Sequence, residues 1–129
     1  MEPPLIVVVE DDMDTLAMLD TLLANEGYRT LLWPRGKGAF RMIRSTLPDL
    51  VILDMWMEEK DTGEKVMARM QGDAATRHIP VILCSAYVRA RHPYVADMAA
   101  KGYRIREKPF PPADLLAKIT DALGTGKTI

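Results

Sequence analysis

The sequence predicts an α/β domain: a doubly wound, five-stranded parallel sheet with helices packed on both faces. Two observations carry this. Five short apolar runs alternate with longer stretches of helical periodicity, and the first, third and fourth runs are continuous Val, Ile and Leu. A strand that is apolar at every position is covered on both sides, as in a parallel sheet whose crossover helices pack above and below it. Right-handed βαβ crossovers put them there.

The elements follow in order. Strands are expected at 5–9, 29–33, 50–53, 81–84 and, more weakly, 103–106. The first helix, 14–26, sets Leu16, Leu19, Leu22 and Leu23 on one stripe, and the second, 37–46, does the same with Phe40 and Ile43 before Leu47-Pro48-Asp49 ends it. The third, 64–71, carries Val66, Met67 and Met70. The fourth, 93–101, opens on Pro93 and stops before Gly102, and the fifth, 112–123, carries Leu115, Leu116, Ile119 and Leu123 before Gly124.

A chain of 129 residues, 48% hydrophobic and 27% charged, is one globular domain's worth of sequence. Residues 1–124 are expected to form that domain and 125–129 a flexible tail. The tail's Gly124-Thr125-Gly126-Lys127-Thr128 lacks the earlier glycine of a nucleotide-binding loop, since Asp121 stands there. A net charge of −1 provides no electrostatic footprint for nucleic acid or an anionic membrane. No run approaches the length of a membrane span, and Met1-Glu2-Pro3-Pro4 is not the start of a signal peptide, so a cytoplasmic location is expected. The single cysteine, Cys84, sits in an apolar run and reads as a small buried hydrophobe.

Open parallel sheets bind ligands outside the carboxyl ends of their strands. Here the first strand ends in Glu10-Asp11-Asp12, the third in Asp54 and the fourth in Ser85-Ala86, and the fifth runs into Lys108-Pro109. The second, ending at Trp33-Pro34, brings no charged group and suits an edge. Carboxylates converging from two strands repel one another unless a cation or proton intervenes. Hard oxygen donors with few nitrogen or sulfur ligands nearby suit Mg²⁺. Taken singly, each residue has an ordinary reading: a solvated acidic strand end, a loop aspartate, a surface lysine, a strand-end serine. As a set they fit phosphoryl transfer to a carboxylate, with Asp54 as nucleophile and Lys108 and Ser85 holding phosphoryl oxygens. Neither histidine, His78 nor His92, falls at a rim position, and this chemistry needs no histidine base.

These residues resemble the response-regulator receiver family. Val7-Val8-Val9-Glu10-Asp11-Asp12 is similar to its acidic pair, Asp49-Leu50-Val51-Ile52-Leu53-Asp54-Met55 to its phosphorylated strand, Ile79-Pro80-Val81-Ile82-Leu83-Cys84-Ser85-Ala86 to its switch strand, and Lys108-Pro109-Phe110 to its lysine turn. The resemblance implies a flavodoxin-like sheet in order 2-1-3-4-5. It implies phosphorylation of Asp54 by a histidine kinase, a phosphotransfer protein or a small acyl phosphate. It also implies Mg²⁺ held by Asp11 and Asp54, by Glu10 through water and by the Trp56 carbonyl. Ser85 and Lys108 would then bind the phosphoryl group, with a cis Lys108–Pro109 peptide. Such a domain is a signalling phospho-acceptor rather than an enzyme. Its downstream protein partner would meet the face of the fourth helix, fifth strand and fifth helix, and a second copy of the chain is a further candidate partner.

Three positions depart from the family. Glu58 replaces a proline, Gly63 comes one residue late so that the loop 58–62 is longer and more charged, and Ile105 replaces an aromatic switch residue. The alternative these favour is a receiver-like docking module that is not phosphorylated. A phosphohydrolase is the weaker rival, because such enzymes place an acid where this chain has Trp56. Trp56 and Tyr87 flank the expected site, either shielding a phosphoryl group from water or packing over the loops.

Overall fold

The computed structural model describes residues 2–54, 62–85, 104–107 and 111–124, with Ser85 and 104–107 described by their backbone. In chain order these are β1 (Leu5–Val9), α1 (Met13–Asn25), β2 (Arg29–Trp33), α2 (Ala39–Thr46), β3 (Leu50–Asp54), α3 (Thr62–Gln71), β4 (Val81–Ser85), β5 (Arg104–Glu107) and α4 (Pro112–Gly124). The helix expected at 93–101 and the tail at 125–129 lie outside the described residues.

The strands form one parallel sheet in the order β2-β1-β3-β4-β5. Alternation within each strand divides the core in two. Val7, Val9, Val51, Leu53, Val81 and Leu83 point to the face covered by α2 and α3, where Met42, Ile43, Val66, Met67 and Met70 meet them. Ile6, Val8, Leu50, Ile52, Ile82 and Cys84 point the other way, against Leu16, Leu19 and Leu23 of α1 and Leu115 and Ile119 of α4. Cys84 is buried among these apolar side chains. β1, β3 and β4 are thus covered on both faces, which is why they read as unbroken apolar runs.

Several boundaries differ from the sequence expectation, and at the starts of α2 and α1 the local reason is visible. α2 begins at Ala39 rather than at 37. Gly38 sits in the left-handed region at φ +78°, and the Lys37 carbonyl accepts from the Trp33 indole at 2.8 Å, so the helical path starts only after them. α1 starts at Met13 because Asp12 caps it, its side chain accepting from the Thr15 amide at 3.1 Å. α3 starts at Thr62, two residues before the expected 64, and β5 occupies Arg104–Glu107 rather than 103–106. β3 runs through Asp54 itself, making the aspartate the last residue of a central strand.

Strand register sets the site's position. Val9 lies opposite Leu53, Leu53 opposite Leu83, and Ser85 opposite Glu107, so the carboxyl ends of β1, β3, β4 and β5 fall within two residues of one another along one edge. Whatever follows Val9, and whatever ends β3, is delivered to the same rim.

Candidate functional site

Glu10, Asp11 and Asp54 meet at that rim. One carboxylate oxygen from each lies within 4.8 Å of the others. The two ends of the arrangement are set by different strands: Glu10 and Asp11 leave β1, and Asp54 closes the adjacent β3. Glu10 is only 2% exposed and Asp54 4%, whereas Asp11 is open to solvent. Carboxylates are seldom buried to this degree without hydrogen bonds or a compensating charge. Part of the compensation for Glu10 is local, since its Oε2 accepts the Asp12 amide at 3.1 Å. The donor set is all carboxylate oxygen, with Asp54 the last residue of β3 and Glu10 directly following β1. That composition fits a small hard divalent cation such as Mg²⁺ and does not fit a thiolate- or imidazole-seeking metal.

The run of three acids divides its labour. Asp12, one residue past Asp11, turns away to cap α1 through the Thr15 amide and also accepts the Thr15 hydroxyl. The cap is readable in the sequence as Asp12-Met13-Asp14-Thr15 preceding the Leu16 stripe.

Ser85 ends β4, opposite Glu107 of β5, so its backbone stands on the same edge as Asp54, whose register partner is Cys84. Lys108 and the 108–109 peptide, Trp56, Glu58, Tyr87 and the fourth-helix part of the expected docking face lie outside the described residues. Ile105 is on β5, opposite Leu83.

The second strand does more than the sequence indicated. The Trp33 carbonyl, at the end of β2, accepts the Glu10 amide at 3.0 Å, so β2 fixes the backbone from which the Glu10 carboxylate springs. A main-chain acceptor leaves no mark in side-chain patterning, which is why Trp33-Pro34 read as a silent end.

The response regulator receiver domain model matches residues 6–120. The chain is 28% identical to Protein Rrf1 of Nitratidesulfovibrio vulgaris over 123 residues, covering 95% of this chain and 85% of that protein. It is 36% identical over 81 residues to the response regulator PleD of Caulobacter vibrioides, a match that covers 63% of this chain and 18% of PleD. Among solved structures, the signal receiver domain of a signal transduction histidine kinase from Syntrophus aciditrophicus superposes with a TM-score of 0.83 at 29% identity, covering 98% of this chain and 94% of that one. With a parallel sheet in the expected arrangement, a triad of carboxylates at its rim and a family match across nearly its whole length, the chain belongs to the response regulator receiver domain family.

Proposed function

We propose that this chain is a Mg²⁺-dependent phospho-acceptor whose accepting residue is Asp54. The observation that carries the reading is the convergence of Glu10, Asp11 and Asp54 within 4.8 Å at the carboxyl edge of the sheet. In the transfer, a carboxylate oxygen of Asp54 bonds phosphorus while the P–N bond of a phosphohistidine, or the P–O bond of a small acyl phosphate, breaks. The departing imidazole or carboxylate keeps the electron pair. Asp54 presents its carboxylate from the last position of a central strand, so little conformational freedom is left to remove on reaction. Asp11 and Asp54 would hold Mg²⁺ with Glu10 behind them and the Trp56 carbonyl as a further donor. A bound ion there supplies positive charge to phosphoryl oxygens. Ser85 and Lys108, from the ends of β4 and β5, would hold the remaining oxygens.

In this reading the chain is not a turnover enzyme: it takes part in its own phosphorylation and dephosphorylation. Phosphorylation biases a two-state surface that a downstream protein reads, at the face of 93–101, β5 and α4. A histidine kinase or phosphotransfer protein is the donor. Among the described residues no helix is long and apolar enough to cross a membrane.

Incubation with Mg²⁺ and acetyl phosphate, read by intact mass, tests the proposal. A single phosphoryl adduct is expected for the wild type and none for Asp54→Asn or for the wild type in EDTA. Absence of an adduct on the wild type would overturn the reading in favour of a docking module that is never phosphorylated.

A further inference from the structure

We infer that Trp33 and Gly38 form a positioning device for the acidic site, acting on Glu10 through the end of β2. The inference rests on the metal-dependent reading above. Glu10 contributes a nearly buried carboxylate to the cluster, and its amide is held by the Trp33 carbonyl at 3.0 Å. Trp33 is itself held at three points. Its indole N–H donates to the Lys37 carbonyl at 2.8 Å, bending residues 33–37 back over the ring. Its side chain packs against the core cluster that contains Val9 and Leu53, the residues preceding Glu10 and Asp54. Its ring edge lies over Gly38, where a Cβ would stand 3.1 Å from Cζ2.

Gly38 is therefore required twice. Its φ of +78° is left-handed, and the space a side chain would fill belongs to the indole. A Cβ there requires the indole edge to give by a few tenths of an ångström, and the indole belongs to the residue whose carbonyl holds the Glu10 amide. A site built for a small ion tolerates little displacement of its donors. Neither residue touches the ion or the reacting atoms; both act through the backbone of Glu10.

The fold contains its own control. Gly27 has nearly the same conformation, φ +87°, but a Cβ there meets nothing within 4 Å, and it lies in the turn between α1 and β2. Gly27→Ala therefore introduces the backbone strain alone, while Gly38→Ala introduces the strain and presses on the indole edge by a few tenths of an ångström. Mg²⁺ affinity of the whole chain would be measured by calorimetry alongside urea unfolding, for the wild type, both glycine variants and Trp33→Phe. Trp33→Phe keeps a ring but removes the N–H donor.

The expected result is a Mg²⁺ affinity about 10-fold weaker in Gly38→Ala, the size typical of losing a group that orients a metal ligand. Gly27→Ala should bind as the wild type does despite a comparable loss of stability. Trp33→Phe should fall between them, and saturating Mg²⁺ should restore its rate of phosphorylation by acetyl phosphate. Equal affinities in the two glycine variants would overturn the positioning role. If Gly38→Ala fails to fold, unchanged affinity in Trp33→Phe overturns it instead. A wild type that binds no Mg²⁺ at all removes the phospho-acceptor reading itself, and this inference with it.

Discussion

Glu10, Asp11 and Asp12 are adjacent, identical in charge type, and put to three uses. Glu10 is buried at the rim and accepts the Asp12 amide, Asp11 is exposed within the cluster, and Asp12 caps α1. The division follows from where β1 ends and α1 begins: Glu10 and Asp11 stay with the cluster at the rim, and Asp12 turns to the first amides of α1. It separates stability from metal binding. Asp12→Ala should cost about 1 kcal/mol by urea unfolding, the usual worth of a helix N-cap, with Mg²⁺ affinity little changed. The cap is lost, but the Asp12 amide still reaches Glu10. Asp11→Asn should do the reverse: no loss of stability without Mg²⁺, because it removes one of three mutually repelling carboxylates, and a clear loss of Mg²⁺ affinity by calorimetry. If both substitutions moved both quantities equally, the assignment of separate duties would be wrong.

At the scale of single elements, helix ends decided most of what patterning could not. α2 has no side-chain cap; it begins after left-handed Gly38 and ends at Leu47, a non-glycine residue at φ +45°. Leucine is strained in that region by roughly 1–2 kcal/mol, and being 51% exposed it recovers little by burial. Leu47→Gly should therefore stabilise the chain, by about 0.5–1 kcal/mol after the greater freedom of glycine in the unfolded state is counted. A lower urea midpoint in that variant would show that Leu47 makes a contact worth more than its strain. α2 and α3 are joined on their outer surface by Arg69, whose guanidinium lies 4.4 Å from the Phe40 ring centroid, and Arg44 reaches Asp73 just past α3 at 3.2 Å. Both contacts are exposed, so the buried methionines and Ile43 beneath them contribute most of the binding between these helices.

Among the described residues the central strands are buried on both faces and end at an acidic rim, and if that rim holds Mg²⁺ as proposed, stability should rise with the ion. Three carboxylate groups within 4.8 Å repel one another, and an ion that binds only the folded chain stabilises it by mass action. Adding Mg²⁺ at about 100 times its dissociation constant should raise stability by about 2.7 kcal/mol, seen as a higher thermal midpoint that EDTA reverses. In Asp54→Asn that increment should shrink sharply, and an equal increment would place the ion elsewhere. Read by itself, the sequence already determined the α/β class, the approximate strands and the rim residues Glu10, Asp11 and Asp54. Continuous apolar runs report burial on both faces, and polar residues stand out where those runs stop. Only the tertiary structure decided that Glu10 is held by the end of β2, that the Lys37 carbonyl belongs to the Trp33 indole and not to a helix, and that Gly38 is filled by a ring from five residues before it. These are main-chain bonds and excluded volumes between segments. They depend on register and packing, which residue type and spacing do not encode.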